Sequence, residues 1–175
     1  MGFQDESGVS DRPFVARTWA MKGKTPIISS AGSWKNLTIS GVIITTPSAR
    51  RQRLFLRIFP ESMKARDILR FMKELKAQMD GKKLLLIWDG LPAHRAKIIR
   101  EYALHERGWL RLERFPAYAP ELNPIEYLWS AMKRKDIANH IPGGLETLKR
   151  TIKKSGRRLS DAKLLKGFLE ASTLY

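Results

Sequence analysis

The chain predicts an α/β fold with a mixed sheet, and three observations lead there. The first sixty residues are rich in β-branched and aromatic residues broken by turn clusters. From Glu61 onward the apolar period lengthens to that of a helix. Leu84 to Trp88 is then an unbroken apolar run, as expected of a strand buried on both faces. Strands followed by alternating helices and strands specify a layered α/β domain.

Taken in order, Pro13 to Met21, Lys35 to Thr46 and Arg53 to Phe59 predict three antiparallel strands. Gly23-Lys24-Thr25-Pro26 between them lacks the glycine spacing of a phosphate loop and reads as a turn. Over Glu61 to Asp80, Ile68, Leu69, Phe71, Met72, Leu75 and Met79 mark one helix face, which Gly81 ends. The buried strand follows and closes on Asp89. A ligand or reaction placed at the carboxyl edge of such a sheet would meet that carboxylate. A helix, a second parallel strand near Trp109 and a proline-punctuated loop then lead to Glu121-Leu122-Asn123-Pro124-Ile125-Glu126. Here Asn123 is placed as a helix N-cap, Pro124 at the first helical position and Glu126 at the third. Glu126 at that position also fits a capping box, in which its side chain would serve the helix start rather than a reaction. Between Asp89 and Glu126 lie 36 residues, one crossover and a loop. A right-handed crossover returns the chain beside its starting strand, so the two acids can meet at one edge.

Composition bounds the function. The chain has 175 residues, with 33 Lys+Arg against 17 Asp+Glu and a formal net charge of +16. An excess of that size on one small domain points to a polyanion, nucleic acid above all. With no cysteine, disulfide frameworks and thiolate zinc sites are excluded. The N-terminus opens on Asp5 and Glu6 rather than on a basic leader, and no apolar run reaches membrane-spanning length. The expectation is a soluble, cytoplasmic protein with no membrane partner. A nucleophile elbow is absent, which disfavours a Ser-His-Asp hydrolase.

Two blocks carry a resemblance. The strand ending in Asp89-Gly90-Leu91-Pro92-Ala93-His94, and Tyr118-Ala119-Pro120-Glu121-Leu122-Asn123-Pro124-Ile125-Glu126-Tyr127-Leu128-Trp129, resemble the second and third catalytic signatures of mariner-like DDE transposases, in their bacterial insertion-sequence branch. Phe3-Gln4-Asp5-Glu6-Ser7-Gly8 matches the first. The resemblance implies an RNase H-like mixed sheet, three antiparallel strands then two parallel ones, flanked by helices. It also implies a catalytic and metal-binding triad of Asp5, Asp89 and Glu126 holding two Mg2+ or Mn2+ ions. Hard carboxylate oxygens suit those cations, and two-metal sites serve in-line phosphoryl chemistry. The implied activity is cleavage at element ends followed by transfer of the 3′-hydroxyl strand into target DNA, on bacterial nucleoid DNA. The alternatives are an inactive DNA-binding relic and a nuclease without strand transfer. Only four residues precede Asp5, so its strand is expected to be very short, with Glu6 and Asp11 as fallback acids. Such transposases also carry an N-terminal helix-turn-helix. The expectation is therefore an excised catalytic fragment or the product of a split reading frame, with a separate helix-turn-helix polypeptide or a second copy of the chain as further partners.

Around the triad, His94 is expected in the first turn of the next helix as a phosphate contact or support, and Tyr118 in the proline loop as a DNA contact. Trp88, Trp109 and Trp129 read as core. Between Ser130 and Tyr175 there are 11 Lys/Arg against 4 Asp/Glu. Leu145, Leu148 and Ile152 line one helix face, with Lys149, Arg150, Lys153 and Lys154 spread over the others, and Leu164, Leu165, Phe168 and Leu169 repeat the pattern. The expected organisation is a catalytic domain over 1–140 and a basic helical extension over 141–175 packed on it.

Overall fold

A computed structural model of the chain describes residues 1–27, 29, 35–116, 119–139 and 143–172. Five strands form one sheet: β1 (Gly2–Ser10), β2 (Asn36–Thr45), β3 (Gln52–Phe59), β4 (Leu84–Trp88) and β5 (Leu110–Arg114), in the spatial order β3-β2-β1-β4-β5. β1, β2 and β3 pair antiparallel, while β4 runs parallel to both β1 and β5. This is the mixed sheet expected from the sequence, with one strand reassigned.

The reassignment concerns the start of the chain. β1 is a nine-residue strand paired along its whole length with β2, from Gly2 opposite Ile44 to Ser10 opposite Asn36. Asp5 therefore sits near its middle, and the very short strand expected for it is corrected to one of nine residues that continues past the acid. Pro13 to Met21, in contrast, forms no strand. Apart from a parallel bridge between Phe14 and Ala138 and two hydrogen bonds between the Ala16 backbone and the Asn139 side chain, the segment lies largely open to solvent, with Trp19 fully exposed. The positions between β2 and β4 and beside β2 are taken by β1 and β3, and the segment pairs with neither outer strand, β3 or β5, so its strand-favouring residues find no ladder.

Helices cover both faces. On one, α1 (Ala65–Ala77) and α2 (Lys97–His105) pack Ile68, Phe71, Met72, Leu75 and Ile99 against Val42, Phe55, Leu84, Leu86 and Trp88. α1 starts later than the sequence suggested because Asp67 accepts the Lys64 backbone N–H, at 2.9 Å, and closes the helix start there.

On the other face, α3 (Pro124–Ala131), α4 (Leu145–Leu159) and α5 (Ala162–Ala171) bury Ile125, Leu128, Trp129, Leu148, Ile152, Leu159, Leu165 and Leu169 against Phe3, Leu37, Ile39 and Ile43. α3 continues as a wider π-helical turn over Met132–Ile137. Asp136 on that turn accepts from Ser155 and, at 2.6 Å, from Arg158, fastening α4 to it. The 140/141 boundary falls outside the described residues. No helix among the described residues is long and apolar enough to cross a membrane.

Candidate active site

Asp5 and Asp89 reach the same level of the sheet from neighbouring strands. The β1–β4 pairing ends at Phe3 opposite Ile87, and each acid lies two residues further on. Along β1 side chains alternate between faces, so Asp5 points with Phe3 toward α3 and is 9% exposed. There the Trp129 Nε1–H donates to Asp5 Oδ2 at 2.9 Å. Burial and the nearby Glu126 charge push the Asp5 carboxyl up to about 7, opposed in part by the indole hydrogen bond.

α3 can approach Asp5 this closely because β2 presents Gly41 opposite it. A Cβ at Gly41 would lie 2.9 Å from Ile125 Cδ1 and 3.0 Å from the Trp129 ring. The helix also begins in the right place. Asn123 caps it, its Oδ1 accepting from the Ile125 N–H at 3.4 Å, and Pro124 takes the first helical position. The Asn123 backbone N–H, which a capping-box glutamate would satisfy, instead donates to the Pro120 carbonyl at 2.9 Å. Glu126 is thus exposed, one turn before Trp129 on the same helix, and acts on Asp5 through its charge.

Asp89 belongs to a second cluster. Its Oδ1 accepts from the Leu91 N–H at 3.0 Å and from His94 Nδ1 at 2.7 Å. His94 lies in a 3-10 turn (Pro92–Arg95) that precedes α2, rather than in the helix itself. It is 3% exposed and stacks on Trp88, ring centroids 4.3 Å apart and planes 2° from parallel. Its Nε2 faces Glu6 Oε1 at 3.2 Å, and Gln4 Nε2 donates to the same oxygen at 2.6 Å. Burial opposes a charge on the imidazole, but Asp89 and Glu6 outweigh it and raise His94 to about 9. Burial likewise works against the Asp89 carboxylate, yet hydrogen bonds from His94 and Leu91 hold it below its ordinary value. At neutral pH both ring nitrogens therefore donate to carboxylates.

The donor chemistry suits a hard cation. Asp5 and Glu126 are carboxylates near enough to repel, a cost that a divalent ion would relieve. Asp89 uses one oxygen for His94 and Leu91, and Glu6 Oε2 is buried without a partner. Among the described residues, no three Asp, Glu or His side chains already converge as a cation cage. Asp11 is six residues from Asp5, about 20 Å along an extended strand, and is remote from these groups.

The other residues singled out in the sequence are dispersed. Tyr118 is outside the described residues. Lys149 pairs with Glu146 at 2.6 Å and Arg150 donates to Thr147, while Lys153 and Lys154 are exposed. All four lie on α4, which packs against β3 on the sheet edge away from Asp89. Sequence reasoning missed Trp129, Gly41 and the bridging of His94 to Glu6. The one available signal was the three-residue spacing from Glu126 to Trp129, which sets both on one helix face.

Comparison with known proteins adds to this geometry. In the strand transfer complex of Mos1, a chain is similar over 97% of this one and 50% of its own length, with a TM-score of 0.71 and 14% identity. The Mos1 mariner paired-end complex with Mn gives 0.65 and 15%, over 99% of this chain and 56% of that one. For the catalytic domain of Mos1 mariner transposase the values are 0.57 and 13%, over 99% and 82%. The chain thus spans about half the length of the Mos1 chains in the complexes, and these likenesses show a shared RNase H-like fold. No curated protein matches the sequence. The family model described as DDE superfamily endonuclease matches residues 1–149, most of the chain, and the protein belongs to that family.

Proposed function

We propose that this domain is the catalytic part of a DNA transposase, cleaving phosphodiester bonds at element ends and joining the freed 3′-hydroxyl strand to target DNA. The observation that carries this reading is the buried Asp5, repelled by Glu126 and held by the Trp129 indole. A fold does not by itself keep two carboxylates in that opposition, which costs stability until a cation arrives. Asp5, Asp89 and Glu126 are the residues that would hold two Mg2+ or Mn2+ ions, whose chemistry is to activate the attacking oxygen and neutralise the leaving one.

The chain's own residues set up the rest. Trp129 fixes the Asp5 rotamer, and His94, clamped between Glu6 and Asp89, orients the Asp89 carboxylate and leaves one oxygen free. Duplex DNA is the substrate, favoured by the +16 charge. The bacterial setting, a separate helix-turn-helix polypeptide, a homodimer and the division into a 1–140 catalytic domain and a basic 141–175 extension belong to the same proposal.

The test is nicking of a supercoiled plasmid with Mn2+ or Mg2+, followed by joining of a labelled 3′-hydroxyl oligonucleotide. Both are expected for the wild type. Glu126→Gln should abolish both while changing stability by no more than about 1 kcal/mol, because no capping hydrogen bond is lost. A second reading, a DNA-binding protein without catalysis, draws on the engagement of Asp89 by His94. Salt-dependent DNA binding with no nicking at any divalent ion concentration would select it. Nicking without joining would mark a nuclease.

A further inference from the structure

Beyond the acids, the face between α2 and β5 carries a groove of about 420 Å3 with a largely apolar floor and a rim of arginines. Ile99, Leu110 and Leu112 line it, and Arg100, Arg107, Arg111 and Arg114 stand around it, exposed. His94 borders the same groove, so it opens beside Asp89. The nearby carboxylates are all engaged, Glu101 with Lys97 at 3.7 Å, Glu106 with Lys76 at 2.6 Å and Glu113 with Arg111, the one groove arginine that is paired, at 2.8 Å. Arg100, Arg107 and Arg114 are left with no carboxylate partner among the described residues. Like charges gathered at one concavity repel, and a domain with no use for them would scatter or pair them.

We propose that this groove holds the DNA sugar-phosphate backbone next to the scissile phosphate, with Arg100, Arg107 and Arg114 each on a phosphate. Guanidinium groups suit the task because their planar donor forks match phosphate oxygens. The site is separate from the cationic α4 surface, which lies with Lys153 and Arg157 against the opposite edge strand, β3. Opposite edges of one sheet thus each present a cationic track. The proposal rests on the DNA-processing reading above, but it concerns binding and is tested without divalent metal.

Binding of a fluorescent duplex to the full chain, followed over a range of salt, reads it directly. Arg100→Ala, Arg107→Ala and Arg114→Ala combined should reduce the slope of log affinity against log salt by about 2.7, three phosphates at roughly 0.9 each. A control with the same loss of charge, Arg66→Ala, Lys73→Ala and Lys82→Ala, should change it by less than about 1. Because the chain has no cysteine, Arg107→Cys carries the sole thiol, and a photocrosslinker on it should join to the duplex where one on Lys73→Cys does not. Equal slopes for the two triple variants, or equal crosslinking at the two cysteines, would overturn the groove. Thermal melting of each variant at the wild-type temperature shows that folding is not the cause. Loss of nicking with these results intact would refute the catalytic reading alone.

Discussion

Asp5 is the residue whose environment has the clearest thermodynamic signature. Its carboxyl rises from an ordinary 3.8 to about 7, so the metal-free folded state binds that proton more tightly than the unfolded chain does. Its contribution to stability therefore falls as pH climbs from about 4 to about 7. His94, raised from 6.5 to about 9, contributes stability that is complete below 6.5 and is lost as pH rises through 9. Asp89, held low, contributes above its unfolded value and loses that contribution as pH falls below it. In chelator, urea midpoints should decline between pH 4 and 7 for the wild type. Asp5→Asn, whose amide oxygen still accepts from Trp129, should flatten that decline and be the more stable protein at pH 8. An unchanged slope would mean that Asp5 is not the group responsible. The positions of Asp89 and Glu126 were legible in the sequence because a strand end and a helix cap announce themselves locally. Trp129 as a hydrogen-bond donor and His94 as a bridge to Glu6 were not, since their partners lie 124 and 88 residues away.

At the scale of elements, the approach of α3 to the β1–β2 pair decides whether the acids meet. Gly41→Ala should push Ile125 and Trp129 outward and destabilise the fold by about 1–3 kcal/mol, the usual cost of overfilling a packed site. Because Trp129 moves with the helix, nicking should fall by more than the loss of folded protein explains. Gly8→Ala, on β1 with nothing within 4 Å of the added Cβ, is the control and should melt as the wild type does. Element reading from sequence succeeded for β2, β3, α1, β4 and α3, where period and caps agree. It failed at β1, where Gly2, Gln4, Ser7, Gly8 and Ser10 hide a strand that pairing with β2 and β4 imposes. Conversely, Val15, Trp19 and Met21 favour a strand that no neighbour accepts.

At the scale of the whole molecule, the basic tail is also core. Leu148, Ile152, Leu159, Leu165 and Leu169 are wholly buried in the same cluster as Phe3, Ile125 and Trp129. Removing 143–175 would forfeit those five side chains, on the order of 8–15 kcal/mol at roughly 1.5–3 each, as much as a domain of this size has in total. The truncated chain should show no cooperative melt, and the charge of the tail is better probed by Lys153→Ala with Lys154→Ala, both of which are exposed. The shared cluster also has a meaning for how the protein opens. With α3 packed on β1 and β2 and side by side with α5, which itself rests on β3, the acids and the tail belong to one unfolding unit. Backbone amides of β1, α3 and α5 should accordingly exchange with deuterium through a common opening, their protection falling in parallel as urea is added. If α5 exchanged early while β1 stayed protected, the tail would be a separable appendage.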